Sequence, residues 1–215
     1  MSSSNLVRLS GLAALLGSVL FLAAELLSFV TETEDFRRGE WTTSTPFLFT
    51  WSLFLLGGML LQIGLIGLYV RQSEAAGIFG LLGFVAAFLG TALAVGASWS
   101  QLFIAPDLMV EGPDVGLPQA QPAGVPGVAD HSVGAYWFSM SFGNYFPLGW
   151  FLFVVATLIA RVHPLAVAIA LIVGTFLANL PVPLSGVVLY VAVAWLGFIL
   201  FTGRGEAAPQ PARVS

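Results

Sequence analysis

Residues 46–104 read PFLFTWSLFLLGGMLLQIGLIGLYV, then RQSEA, then AGIFGLLGFVAAFLGTALAVGASWSQLFI. Two long apolar runs, Pro46–Val70 and Ala76–Ile104, flank a short polar interruption holding Arg71, Gln72, Ser73 and Glu74. Each run exceeds the roughly 20 residues that an α-helix needs to cross a bilayer. Neither alternates with period two, which argues against strands of a transmembrane barrel. In lipid every backbone N–H and C=O must be satisfied within its own segment, so helices remain. The brevity of the interruption predicts a tight helical hairpin. The second run would be about 43 Å long at 1.5 Å per residue, beyond a hydrocarbon core of about 30 Å, so it must tilt or project.

Four more apolar runs flank this hairpin: Leu6–Val30, Ala135–Ala160, Pro164–Leu180 and Leu184–Phe201. The expected fold class is therefore all-α, a polytopic membrane protein folded as a compact bundle of six transmembrane helices. The spans are 6–30, 46–70, 76–104, 135–160, 164–180 and 184–201, in a single membrane domain over 1–203. The fifth is about 25 Å long as a helix and fits only when nearly upright or where the bilayer is thin.

Composition agrees. Of 215 residues, 58% are hydrophobic and only 8% charged, against roughly 25% charged in an ordinary soluble domain. Eighteen charged side chains cannot supply a soluble protein's polar skin. A net charge of −4 without any basic stripe excludes a typical nucleic-acid partner. With no cysteine, disulfides, thiolate catalysis, iron–sulfur clusters and c-type haem attachment are excluded.

Orientation follows from the arginines, because the chain has no lysine. With six spans, Arg8, Arg71, Arg161, Arg204 and Arg213 fall on one side and Arg37 and Arg38 on the other. The side with more arginine is the cytoplasm, so both termini are expected there and the protein in the bacterial inner membrane. A cleaved signal peptide is the alternative reading of the first span. Leu22-Ala23-Ala24 is a poor cleavage site, however, and the apolar run continues to Val30. The third outer loop, 105–134, interleaves Pro106, Pro113, Pro118, Pro122 and Pro126 with glycines and reads as an irregular lid or a disordered segment. Residues 204–215 read as a disordered cytoplasmic tail.

Glu25 is the only ionisable residue well inside a span. It lies about 9 Å below the outer helix end, where an unpaired charge costs a few kcal/mol. Intramembrane acids are therefore candidates for function, the bland alternative being an interfacial Glu that reaches the headgroups beside Ser28. Ser98 and Gln101, Asn144 and Asn179 fall at similar depth on the third, fourth and fifth spans. The five polar residues define a speculative ligand-binding layer beneath the outer loop, with Trp99, Tyr136, Trp137, Tyr145 and Trp150 nearby. An aromatic interface belt with interhelical hydrogen bonds is the competing reading. Pro147, following Asn144, should kink the fourth helix. Gln62 is expected to make a helix–helix hydrogen bond.

Enzyme signatures are missing. The chain has no HExxH, no paired intramembrane acid and no histidine within a span to serve a serine nucleophile. His131 and His163 fall on opposite sides of the membrane and cannot share a haem or metal within one chain. No catalytic residue, metal or cofactor is expected. Ala86, Gly90 and Ala94 form a stripe of small residues that lets another helix approach closely. Packing within the chain is the first expectation for it and a homo-oligomer seam the alternative.

Several stretches resemble a family of small, uncharacterised six-helix integral membrane proteins of high-GC bacteria. They are Gly67-Leu68-Tyr69-Val70-Arg71-Gln72 with Gly80-Leu81-Leu82-Gly83-Phe84, the opening Arg8-Leu9-Ser10-Gly11-Leu12-Ala13-Ala14 and the closing Ala194-Trp195-Leu196-Gly197. The resemblance implies a compact six-helix bundle and supplies no site residues. The expected function is non-enzymatic binding of a small apolar or lipid-like ligand in an outward-facing pocket, with membrane lipids as partners. The alternative is a secondary transporter, or an accessory subunit of a membrane complex, that uses Glu25 as a proton-linked acid.

Overall fold

A computed structural model describes residues 3–31, 44–105, 145–180 and 182–203. Among them there are five helices and no strand. They are α1 (Ser3–Thr31), α2 (Thr45–Phe103), α3 (Phe146–Ala160), α4 (Leu165–Leu177) and α5 (Val187–Thr202). The chain is thus all-α. Asn5–Thr31 and Thr45–Phe103 are long and apolar enough to cross a membrane, whereas the other three helices are shorter and equally apolar. The outer loop and the tail, the expected start of the fourth span and Asn144 lie outside the described residues.

Local chemistry sets the helix ends. Ser44 accepts the Phe47 N–H at 3.3 Å through its hydroxyl, with Pro46 in the first turn, where a missing N–H costs nothing. Pro147 occupies the same kind of position in α3. It stands in the first turn of the described helix, and the expected earlier part of the span, on which the predicted kink depends, lies outside the described residues. Gly203, with φ 66°, closes α5 by donating its N–H to Leu200 O at 3.2 Å.

The hairpin forms differently from its expected shape. Residues 71–75, read as a loop, continue the helix, and the reversal is concentrated at Gly77, with φ 52° and ψ −138°. That backbone state is essentially closed to residues with a side chain. The two limbs of α2, residues 45–76 and 78–103, run antiparallel. Tyr69 and Phe84, at matched positions either side of Gly77, stack with ring centroids 4.6 Å apart. Further along, a Cβ on Gly58 would lie 2.6 Å from Val95 Cγ2. With that break counted, there are six helical segments.

The helices pack in a closed cycle: α1 on α2, α2 on α3, α3 on α4, α4 on α5, and α5 back on α1. The stripe on the second limb is used inside the chain. A Cβ on Gly90 would lie 3.0 Å from Tyr145 O and 3.2 Å from Phe146 Cα, and one on Gly83 would lie 2.9 Å from Leu152 O. Gly149 of α3 in turn abuts the backbone of Ala86. Side chains fill the middle. The Phe21 ring meets Phe54 at 5.2 Å, Phe146 at 5.5 Å and Tyr190 at 5.1 Å, joining four helices. Trp150 Nε1 donates to Thr91 Oγ1 at 3.1 Å, and that hydroxyl donates on to Ala87 O at 2.7 Å.

The exterior is apolar as well. Leu56, Met59 and Ile63, Leu82, Val85 and Leu89, Ile169, Val173 and Phe176, and Val191, Trp195 and Phe198 are exposed at helical spacing. Most of the apolar length of α1 and α2 therefore faces outward from the bundle. Helices apolar all round need lipid or protein on every side.

The bundle has two distinct ends. Arg8 Nε donates to Phe201 O at 3.3 Å, and Ser10 abuts Gly67, so the start of α1 and the end of α5 sit at the Gly77 end. The Gln72–Thr157 contact brings the α3–α4 turn there too. Glu25, Ser44, Tyr145 and the α4–α5 turn lie at the opposite end.

Gly77 and Gly96 give a paired test. A Cβ would meet nothing within 4 Å at either site, but only Gly77 has a positive φ. Gly77→Ala should therefore cost about 1–3 kcal/mol through the backbone alone. Gly96→Ala, in regular helix, should stabilise by about 0.5–1 kcal/mol. Melting temperatures in detergent should shift in opposite directions, and equal shifts would refute the assignment of the turn.

Candidate functional site

A cleft of about 450 Å³ opens at the Glu25 end. Glu25, Ser28 and Phe29 of α1 form one wall, Phe54 of α2 another, and Leu180 with Val182–Ser185 of the α4–α5 turn the third. The α1 residues reach it because positions 21, 25, 28 and 29 share a face of the helix. Phe21, lowest of the four, is buried against Phe54 and Tyr190, beneath the cleft.

Glu25 is half-buried and fixed. Its Oε1 accepts the Gly186 N–H at 3.2 Å. Gly186 is the N-cap of α5 and has no side chain with which to cap the helix. The carboxylate of α1 therefore opposes the positive end of α5, where an anion is favoured. Tyr190 explains the glycine: a Cβ there would fall 2.6 Å from its ring. The turn leading to Gly186 holds Leu184 at φ 61°, a left-handed conformation that costs a side-chain-bearing residue about 1–2 kcal/mol. This strained residue is itself part of the cleft wall.

The predicted polar layer divides. Glu25 lines the cleft together with Ser28. Ser98 and Gln101 are buried on the second limb of α2, where the Ser98 hydroxyl donates to Ala94 O at 2.9 Å, and neither lines the cleft. Asn179, in the turn just after α4, is exposed and donates from Nδ2 to Thr175 O of that helix at 2.6 Å; its neighbour Leu180 lines the cleft instead. Asn144 lies outside the described residues. Depth along a helix, which the sequence supplies, does not decide angular position around the bundle. Among the described residues no group of three His, Asp or Glu side chains gathers at one point.

A second polar cluster sits at the Gly77 end, and sequence reading missed it. Gln72, expected in a loop, is fully buried against α3, whereas Gln62 is half-buried and makes no hydrogen bond among the described residues. Thr157 Oγ1 lies 2.8 Å from the Gln72 amide and 2.9 Å from Phe153 O. A hydroxyl has one proton and cannot donate to both an amide oxygen and a carbonyl. The consistent arrangement turns the amide so that Nε2 donates to Thr157, which donates to Phe153 O. This also gives a partner to Nε2, which has none in the opposite orientation. The available signal was Gln72 beside Arg71 and Thr157 one turn before Arg161, at the same end of two neighbouring spans.

His163, in the α3–α4 turn, is 8% exposed, and neither ring nitrogen has a partner among the described residues. Burial, aided by the charge of Arg71, lowers its pKa from 6.5 to about 4. The folded protein therefore holds this ring neutral, while the unfolded chain protonates it below about pH 6.5. Stability from this group is full above pH 6.5 and falls as the pH drops towards 4, by about 1.4 kcal/mol per pH unit. The melting temperature should follow that slope, and His163→Gln should flatten it over this window. An identical slope in the variant would remove His163 as its source.

Comparison of the chain with protein-family models, with curated proteins and with solved structures found no match.

Proposed function

We propose that the protein is a six-crossing inner-membrane protein that holds a small apolar or lipid-like ligand in its outer cleft without transforming it. The six-crossing reading draws support from the closed cycle of helical segments and from the apolar residues exposed on every side. Arg8, Arg71 and Arg161 all belong to the Gly77 end, which makes that end cytoplasmic by the positive-inside rule. The cleft then faces outward.

One observation carries the binding reading. The cleft, at about 450 Å³, falls in the size range of small-molecule sites, roughly 300–1,000 Å³. Six of its nine described lining residues are apolar, while Glu25, Ser28 and Ser185 contribute to a surface that is slightly more polar than apolar. The bond from Gly186 to Glu25 favours binding over proton-linked transport, because it makes the carboxylate a fixed part of the wall.

Two experiments test the proposal. Native mass spectrometry of the protein from mild detergent should reveal a retained lipid-sized adduct. Ser28→Trp, which fills the cleft, should lose it at unchanged melting temperature, and Ser28→Ala should keep it. A wild-type protein with no adduct, or a Trp variant that retains it, would overturn the binding reading. Reporter fusions at Arg71 and Gly127 should report opposite sides of the membrane. A C-terminal fusion active only outside the cytoplasm would overturn the topology.

A further inference from the structure

The described arginines, Arg8, Arg71 and Arg161, all sit at the Gly77 end, and the chain itself uses only the first. Arg8 donates to Phe201 O in the last turn of α5, where a cation is favoured. The side chains of Arg71 and Arg161 make no hydrogen bond or ion pair among the described residues. Glu74, the one acid described at this end, pairs with neither. Residues outside the described ones do not reverse the balance. On this side of a six-crossing chain Arg8, Arg71, Arg161, Arg204 and Arg213 stand against Glu74 and Glu206. By sign, this end selects an anion.

The two unpaired arginines are carried on backbones locked to each other. Gln72, directly after Arg71, meets Thr157, one turn before Arg161, at 2.8 Å in a buried contact. The charge of Arg71 reaches the α3–α4 turn, where it helps keep the His163 ring neutral. Arg161 is exposed at the C-cap of α3 with φ 52°, a left-handed position of the kind that glycine usually fills at a helix end. An arginine there is held against the preference of its own backbone. Below this charge the surface is apolar. Leu165, Ile169 and Val173 are exposed along one face of α4 from its first residue, and Ile159 is exposed on α3. A soluble anion would use the arginines and leave this stripe bare. A phospholipid uses both, and a headgroup without an ammonium brings no cation back against the guanidinium groups.

Resting on the six-crossing reading above but not on the outer cleft, we propose that Arg71 and Arg161 hold the phosphate of an anionic phospholipid whose chains lie along the exposed face of α4.

The test is native mass spectrometry of the full-length protein in mild detergent with equal phosphatidylglycerol and phosphatidylethanolamine. Phosphatidylglycerol should be retained about tenfold over phosphatidylethanolamine, and should raise the melting temperature where inorganic phosphate does not. Gln at both Arg71 and Arg161 should abolish the preference, whereas Lys at both should keep most of it. Arg161→Gly separates binding from folding. By relieving the left-handed backbone it should raise the melting temperature while lowering phosphatidylglycerol retention about fivefold. Ser28→Trp fills the outer cleft and should leave the preference intact, so the substitution that removes an adduct tells which site held it. Equal retention of the two lipids, or a preference that survives Gln at both positions, would overturn the proposal. Loss of the preference in Ser28→Trp would move the lipid to the outer cleft and overturn it as well. A melting-temperature rise with inorganic phosphate equal to that with phosphatidylglycerol would remove the lipid as the source of the anion. A protein that stays dispersed in water after detergent removal would instead overturn the membrane reading on which the proposal rests.

Discussion

The bundle depends on helix backbones that come within one side chain's thickness of each other. A Cβ on Gly64 would lie 2.6 Å from Ala14 Cβ, and one on Gly197 would lie 2.6 Å from Leu15 N. Another on Gly174 would lie 2.5 Å from Leu189 N. These contacts join α1 to α2, α5 to α1 and α4 to α5, and the stripe at Gly83 and Gly90 joins α2 to α3. In lipid, hydrophobic burial gives no drive for helices to associate, so dispersion between closely packed surfaces must supply it. The small residues are therefore distributed over four of the five helix contacts in the cycle rather than along one seam.

Few polar interactions reinforce that packing, and each crosses between helices. Trp150 to Thr91 ties α3 to the second limb of α2, and Gln72 to Thr157 ties the same pair at the Gly77 end. Glu25 to Gly186 ties α1 to α5 at the other end. The threonine hydroxyls in the first two are also bonded to carbonyls one turn back in their own helices, which fixes their rotamers. Such satisfaction matters most where water is excluded, because an unmade bond there carries its full desolvation cost.

The two ends differ in chemistry as a consequence of connectivity. At the Gly77 end the chain turns tightly, once at Gly77 and once through Arg161–Pro164, and the helices close over Gln72 and His163. At the Glu25 end the α4–α5 turn is longer and strained at Leu184. It stands far enough from α1 and α2 to leave a cleft. The candidate site is thus a place where, among the described residues, the packing between helices is incomplete.

Apolar length, the loss of period-two alternation and the scarcity of charge determined by themselves that the regular structure among the described residues is all-helical. The described helices fall along the expected apolar runs, although the first limb of α2 continues past Val70 to residue 76 and the expected start of the fourth span lies outside the described residues. The stripe at Ala86, Gly90 and Ala94 was legible because small residues at helical spacing define a face, whatever neighbour fills it. Glu25 stood out because it alone breaks an apolar span. Which groups meet was another matter. Ser98, Gln101 and Asn179 share the depth of Glu25 but not its direction, since periodicity orients a side chain only relative to its own helix axis. Gln72 looked like a loop residue because its neighbours are polar, yet the reversal is confined to Gly77 and leaves Gln72 facing α3. One partner of Glu25 turned out to be a backbone N–H at Gly186, far along the chain. Only the rotation of each helix about its own axis, set by packing summed over the whole cycle, brings such groups together.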